Sequence, residues 1–261
     1  MKIYQDPLKV LKSAIKNLLP RGVRMRPPIA QLYIGGNKGL SSRYSLTNIP
    51  SLYSPVKAYP VIYDCRIYDQ SGKLIESRSV KLAPYGSYDL VPAKFFNSVL
   101  PEFGLFVAKM RPESFFTYSD KHLGEITAHF YALYSDEKTG SLALIHPQST
   151  LYPAKWSAGR DWRSGFLIDS GALSKILIIQ INPTKEYFSN RVEIYNEDGV
   201  NLGGVNFNIP PMGCEAKEVW AKDLSHDRKM IHIRSKKLSA ENTKPIIFIY
   251  DYNHNFLGLH A

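Results

Sequence analysis

The stretch Ile67-Tyr68-Asp69-Gln70-Ser71-Gly72, running on to Ala83-Pro84-Tyr85-Gly86, returns as Ile194-Tyr195-Asn196-Glu197-Asp198-Gly199, running on to Pro210-Pro211-Met212-Gly213. The offset is 127 positions without a gap, which reads as a tandem internal duplication of a whole small domain rather than a solenoid unit. Apolar residues alternate in both copies: Val80 and Leu82 follow the turn in the first, Phe207 and Ile209 in the second. A period of two buries one face of a strand and wets the other. Each copy is therefore an antiparallel hairpin, with a polar turn closed by a Gly that supplies positive φ, followed by a Pro-x-Gly corner.

Downstream, Leu105-Phe106-Val107-Ala108-Lys109 pairs with Met230-Ile231-His232-Ile233-Arg234 after a small shift, and Phe130-Tyr131-Ala132-Leu133-Tyr134 answers Ile249-Tyr250-Asp251-Tyr252. Each copy closes on an apolar strand ending in histidine, Leu144-Ile145-His146 and Gly258-Leu259-His260. Short strands separated by regular turn signals, with almost no helical periodicity, predict an all-β chain of two tandem antiparallel β-sandwich domains packed in series. The 261 residues suit two sandwiches that each bury a core, plus an N-terminal extension. The expected division is a basic extension at 1–55, a first sandwich at 56–146, a junction at 147–165 and a second sandwich at 166–261.

Charge is distributed unevenly. Residues 1–63 carry ten basic side chains (Lys2, Lys9, Lys12, Lys16, Arg21, Arg24, Arg26, Lys38, Arg43 and Lys57) against Asp6 alone, a balance of +9 out of the chain's +10. Within the extension, Asp6-Pro7 opens a helix over 7–19: Asp6 caps, Pro7 fits the first turn, and Leu8, Leu11, Ile15, Leu18 and Leu19 form an apolar stripe that Pro20 ends. Lys9, Lys12 and Lys16 lie on the other face. With Arg24 and Arg26 beyond, this surface would attract a protein partner or an anionic membrane; it could also contact nucleic-acid phosphates, but the sequence shows no stacking platform beside it, which disfavours nucleic acid. The bland alternative is that the stripe packs on a sandwich and the lysines are merely solvated.

No run of about 18 apolar residues is present, so no helical membrane span is expected, and a start without an apolar h-region points to the cytoplasm. Cys65 and Cys214 are not a repeated pair and read as free thiols, Cys65 packed as a small hydrophobe. Gly35-Gly36-Asn37-Lys38-Gly39 is not followed by Ser/Thr and a helix, so it reads as a hairpin tip and not a phosphate loop. Neither a cofactor nor a metal is expected, because histidines with metal-ligand spacing and nucleotide loops are both missing from the sequence.

The junction concentrates binding chemistry. His146, Trp156, Arg160, Asp161, Trp162 and Arg163 fall within 18 residues, on a loop between rigid sandwiches where binding residues tend to sit. Tryptophan faces stack on sugars, and Arg160 and Arg163 offer forks for carboxylate or phosphate. The competing reading is that Trp156 and Trp162 plug the seam between domains. A hydrolase would pair His146 with Ser149 and an acid such as Asp161 or Asp169, but no Gly-x-Ser-x-Gly elbow supports it.

The second copy resembles the small β-sandwich of the bacterial sensory rhodopsin transducer family. The resemblance is carried by Val192-Glu193-Ile194-Tyr195-Asn196-Glu197-Asp198-Gly199, Phe207-Asn208-Ile209-Pro210-Pro211-Met212-Gly213, Trp220-Ala221-Lys222-Asp223-Leu224 and Pro245-Ile246-Ile247-Phe248-Ile249-Tyr250, about a third of the chain. It implies a soluble cytoplasmic, oligomeric protein that acts through partners and is not catalytic. The duplication, the basic N-terminal helix and the Trp-rich junction depart from that family's single domain. Together these readings predict a homo-oligomeric ligand-binding or interaction module, taking a saccharide or other anionic small molecule at the junction.

Overall fold

Alternating apolar residues form strands along both halves of the chain, and every pairing is antiparallel. The computed structural model describes residues 28–35, 39–53, 58–113, 130–146, 148–149, 162–168, 173–224, 229–238 and 243–260. The first half holds β1 (Ile29–Ile34), β2 (Leu40–Thr47), β3 (Val61–Asp69), β4 (Leu74–Leu82), β5 (Ser87–Leu90), β6 (Phe103–Pro112), β7 (Phe130–Asp136), β8 (Leu142–Ile145) and β9 (Gln148–Ser149). The second holds β10 (Trp162–Ile168), β11 (Leu173–Asn182), β12 (Phe188–Asn196), β13 (Asn201–Ile209), β14 (Gly213–Trp220), β15 (Lys229–Ser235), β16 (Ile246–Asp251) and β17 (Phe256–His260). Among the described residues, helix is limited to Ile49–Tyr53, Pro92–Phe95 and a 3-10 turn at Ala221–Asp223.

Four sheets result, and the halves repeat one strand order. The first-half sheets run β4-β3-β6-β1-β9 and β5-β2-β7-β8; the second-half sheets run β13-β12-β15-β10 and β14-β11-β16-β17. The likeness reaches single bonds. Gly72 and Gly199 close the first hairpins at φ 83° and 78°, and the side chains of Asp69 and Asn196 accept from Lys73 N and Val200 N at 3.0 and 2.8 Å. The pairing shifts register at Ile67/Tyr68 and again at Ile194/Tyr195. At the corners Tyr85 and Met212 adopt φ 60° and 58°, and Gly86 N and Gly213 N donate to Ala83 O and Pro210 O. Proline at the second position and positive φ at the third make each corner a type II turn.

A buried asparagine ties the two sheets of each half together. Asn48 Nδ2 donates to Tyr59 O and Ala83 O at 2.7 and 2.9 Å. Asn182 Nδ2 donates to Glu186 O, Ile209 O and Pro210 O at 2.7, 3.1 and 3.0 Å. Both residues are fully buried, so these carbonyls replace the water that each amide has lost.

Several sequence expectations need correction. Residues 29–47 belong to the first half and not to an extension ending at 55, because β1 lies between β6 and β9 and β2 lies between β5 and β7. All six residues of β1 are buried, so Ile29-Ala30-Gln31-Leu32-Tyr33-Ile34 shows no alternation to read. The junction at 147–165 is divided: Gln148–Ser149 pairs with β1, whereas Trp162 to Gly165 pairs with β15. The correspondence between the halves keeps an offset of 127 through β6 and β15, since Tyr68 faces Leu105 and Tyr195 faces His232. Leu105 thus answers His232 and not Met230. Similarly, the stretch answering Phe130–Tyr134 is Pro245 to Ile249, since Ala132 faces Tyr44 as Ile247 faces Ile178, and Tyr252 falls in the following turn.

The sandwiches are also not separate beads with private cores. Leu177, Ile179, Ile181, Ile246, Phe248 and Phe256 join Tyr44, Phe106 and Tyr134 of the first half in one apolar cluster. Their neighbours Ile176, Ile178 and Ile247 face a second cluster with Val192, Ile194, Ile231 and Ile233. The strand β11 is therefore buried on both faces, which is why Ile176–Ile179 reads as a continuous apolar run. Tyr134 meets Phe248 edge-on with centroids 5.3 Å apart, and Gln70 O of the first half accepts from Cys214 N at 3.3 Å. Each large side chain in such a seam contributes about 1.5–3 kcal/mol through burial, so the halves stabilise one another.

Candidate functional site

On β12 and β15 the residues Val192, Ile194, Ile231 and Ile233 turn inward to the core. Strand alternation then directs Glu193, Tyr195, His232 and Arg234 to the opposite face. Pairing sets them in two rows across three strands, Gly165–His232–Tyr195 and Arg163–Arg234–Glu193. Neighbouring strands lie about 4.8 Å apart, so each row spans about 10 Å. Over these rows opens a cleft of about 360 Å³ lined by Arg163, Tyr195, Asn196, Glu197, His232 and Arg234.

Gly165 makes room for this arrangement. A Cβ there would stand 2.9 Å from His232 Nδ1, so a side chain at this position would push the imidazole off β10. Glu193 lies beside the cleft in the row of Arg163 and Arg234, with its side chain only 10% exposed. Its Oε2 accepts from the Tyr195 hydroxyl at 2.8 Å, and its Oε1 from Lys236 Nζ at 3.2 Å. The Tyr195 hydrogen bond, with Lys236 and Arg191 behind it, holds the Glu193 carboxyl below the usual carboxylate range, against the opposite pull of burial.

The two guanidinium groups present forks matched to a carboxylate, sulfate or phosphate. A neutral imidazole adds one donor and one acceptor, and the ionised Glu193 retains lone pairs for hydroxyl donors. The chemistry is that of a polar, anion-bearing ligand. Elsewhere, Cys65 and Cys214 are free and buried; burial pushes both thiols up to about 12. Among the described residues no group of three His, Cys, Asp or Glu is placed to hold a metal, and no helix is long and apolar enough to cross a membrane.

Of the residues expected from sequence, Arg163 lies in the cleft. Trp162 takes its place in the backbone of β10 opposite Ser235. His146 is not brought to Arg163: it follows β8 in the first half, exposed, and its carbonyl accepts from Gln31 Nε2 at 3.1 Å. Ser149 pairs through its backbone with Ile29. Trp156, Arg160, Asp161, Asp169, the 7–19 segment with Lys9, Lys12 and Lys16, and Arg24 and Arg26 lie outside the described residues. Tyr195, His232 and Arg234 were missed. Their signal lay in the copies themselves, since at an offset of 127 the apolar Leu105 and Val107 become His232 and Arg234.

No protein-family model matches the sequence, and no curated protein sequence matches it. Among solved structures, a protein of Parabacteroides distasonis assigned as secreted is 12% identical, over 82% of this chain and 76% of its own, with a TM-score of 0.22. A protein of Bacteroides fragilis assigned as a β-galactosidase is 8% identical over 100% of this chain and 38% of its own, with a TM-score of 0.23. The apo lectin of Pleurotus ostreatus is 10% identical over 93% and 82%, with a TM-score of 0.20. Likenesses this distant leave function to be argued from the chain's own chemistry.

Proposed function

We propose that this two-part β-sandwich chain is a non-catalytic binding module, and that it takes an anionic, sugar-sized ligand on the outer face of the sheet β13-β12-β15-β10. The observation that carries the reading is the convergence of Arg163, Arg234, His232 and Tyr195, from three strands, on one open cleft. The guanidinium forks take the acidic group, and Glu193 with the Tyr195 phenol marks where hydroxyls bind. A glycosidase would need a carboxyl raised in pKa to deliver a proton, and Glu193 is shifted the other way. Its bonds to Tyr195 and Lys236 suit an acceptor that stays ionised.

Calorimetric titration with galacturonate tests the proposal. The native chain should bind it, and Arg234→Ala should weaken binding about tenfold or more, the scale of a lost hydrogen bond to a charged group. Equal affinity in the two proteins would remove the cleft from consideration.

A further inference from the structure

We infer that the ligand is a linear acidic saccharide lying along the strands, an inference that rests on the proposed anion-binding cleft and extends it to a second one. At the far end of the same sheet a shallower cleft of about 410 Å³ is lined by Ser189, Arg191, Asn206, Lys236 and Lys237. Arg191 and Asn206 face one another across β12 and β13, and Arg191 Nη1 donates to Asn206 Oδ1 at 3.3 Å. Glu193 joins the two clefts. One carboxylate oxygen accepts from Tyr195 in the first, and the other from Lys236 in the second.

From Tyr195 to Arg191 the strand advances four residues, or about 13 Å at about 3.3 Å per residue. The face therefore offers cations at both ends, Arg163 and Arg234 with Glu197 beside them at one and Arg191, Lys236 and Lys237 at the other, with the Glu193 carboxylate between them. That alternation selects the ligand. A phosphodiester backbone would set a phosphate against ionised Glu193, which costs binding. A saccharide chain places hydroxyls there as donors, with carboxylates spaced to meet the cations. The same face in the first half offers no such path, because an acid, Asp64, bonded to Arg111 Nε at 2.8 Å, stands where the second half has Arg191, and the positions answering Arg163, Gly165, His232 and Arg234 are apolar and buried.

The test compares galacturonate with its linear hexamer by calorimetry on the full chain. Linking two sets of contacts in one molecule should make the hexamer bind about tenfold tighter or more. The double variant Arg191→Ala/Lys237→Ala should bring the ratio of hexamer to monomer affinity down to about one, whereas Arg163→Ala should weaken both sugars. A hexamer no tighter than the monomer, or a double variant that keeps the ratio, overturns the extended site and leaves the single cleft standing. Failure of the native chain to bind either sugar overturns both readings. A single-stranded oligonucleotide that binds as tightly as the hexamer overturns the saccharide assignment.

Discussion

In the first-half sheet, Leu32–Leu105–Tyr68 and Ala30–Val107–Arg66 form the two rows that Gly165–His232–Tyr195 and Arg163–Arg234–Glu193 form in the second. Strand order, register shift and turn geometry are shared. On β1 and β6 against β10 and β15 the fates are opposite. Ala30, Leu32 and Leu105 are 0% exposed and Val107 5%, whereas Arg163 and Gly165 are exposed and His232 and Arg234 line an open cleft. Removing a guanidinium from water costs several kcal/mol unless it is fully paired, so a face carrying Arg163 and Arg234 is kept open, while its apolar twin gains by closing. Four exchanges across two strands turn core into binding surface on an unchanged backbone plan.

Placing the second half's charge in the first half should break that contrast most severely. Val107→Arg puts a guanidinium where its counterpart Arg234 is tolerated but where the surroundings are apolar and closed; the expected loss is about 3 kcal/mol or more, seen as insoluble protein or a collapsed urea midpoint. The reverse change, Arg234→Val, should cost much less. Comparable losses from the two would mean that the faces are not different in kind.

The shared frame should respond equally in both halves. Asn48→Ala and Asn182→Ala each strand buried carbonyls at a corner, at about 2–4 kcal/mol apiece by chemical denaturation. Because the halves share a core, both variants should unfold in one transition. Two separated transitions would contradict the common cluster.

A smaller effect is expected from Gly165→Ala, whose Cβ displaces the His232 ring. Galacturonate affinity should fall by about three- to tenfold, roughly 1 kcal/mol, with stability little changed. The smallest effect concerns pH. The Glu193 carboxyl is lowered in the folded chain, so its stabilisation is present above the ordinary value of 4.5 and is lost as pH falls through the lower folded-state value. Glu193→Gln removes that titration. The gap in urea midpoint between native chain and variant should narrow on acidification, and a gap that widens would give the shift the wrong sign.

The hairpins were legible in the sequence because their positive-φ glycines and alternating faces recur at a fixed offset. The buried edges were not. Ile29–Ile34 and Ile176–Ile181 are covered on both faces and show no period, so β1 was read as part of an extension and β11 gave no hint that the halves share it. Of the cleft, Arg163 was visible as one of several charged junction residues. His232 and Arg234 lie about seventy positions away and come beside it only through the β10–β15 register. The Asn48 and Asn182 ties were hidden for the same reason, since their partners at 59, 83, 186 and 210 declare themselves only when the sheets close.

The most direct measurement is an amide chemical-shift titration of the uniformly labelled chain with galacturonate. The shifts should concentrate at Arg163, Gly165, Tyr195, His232 and Arg234, with Ala30, Leu32, Leu105 and Val107 unmoved at the matching positions of the first half. Shifts confined to other surfaces, or equal shifts at the two sets of rows, would contradict the assignment of one face to binding and its twin to the core.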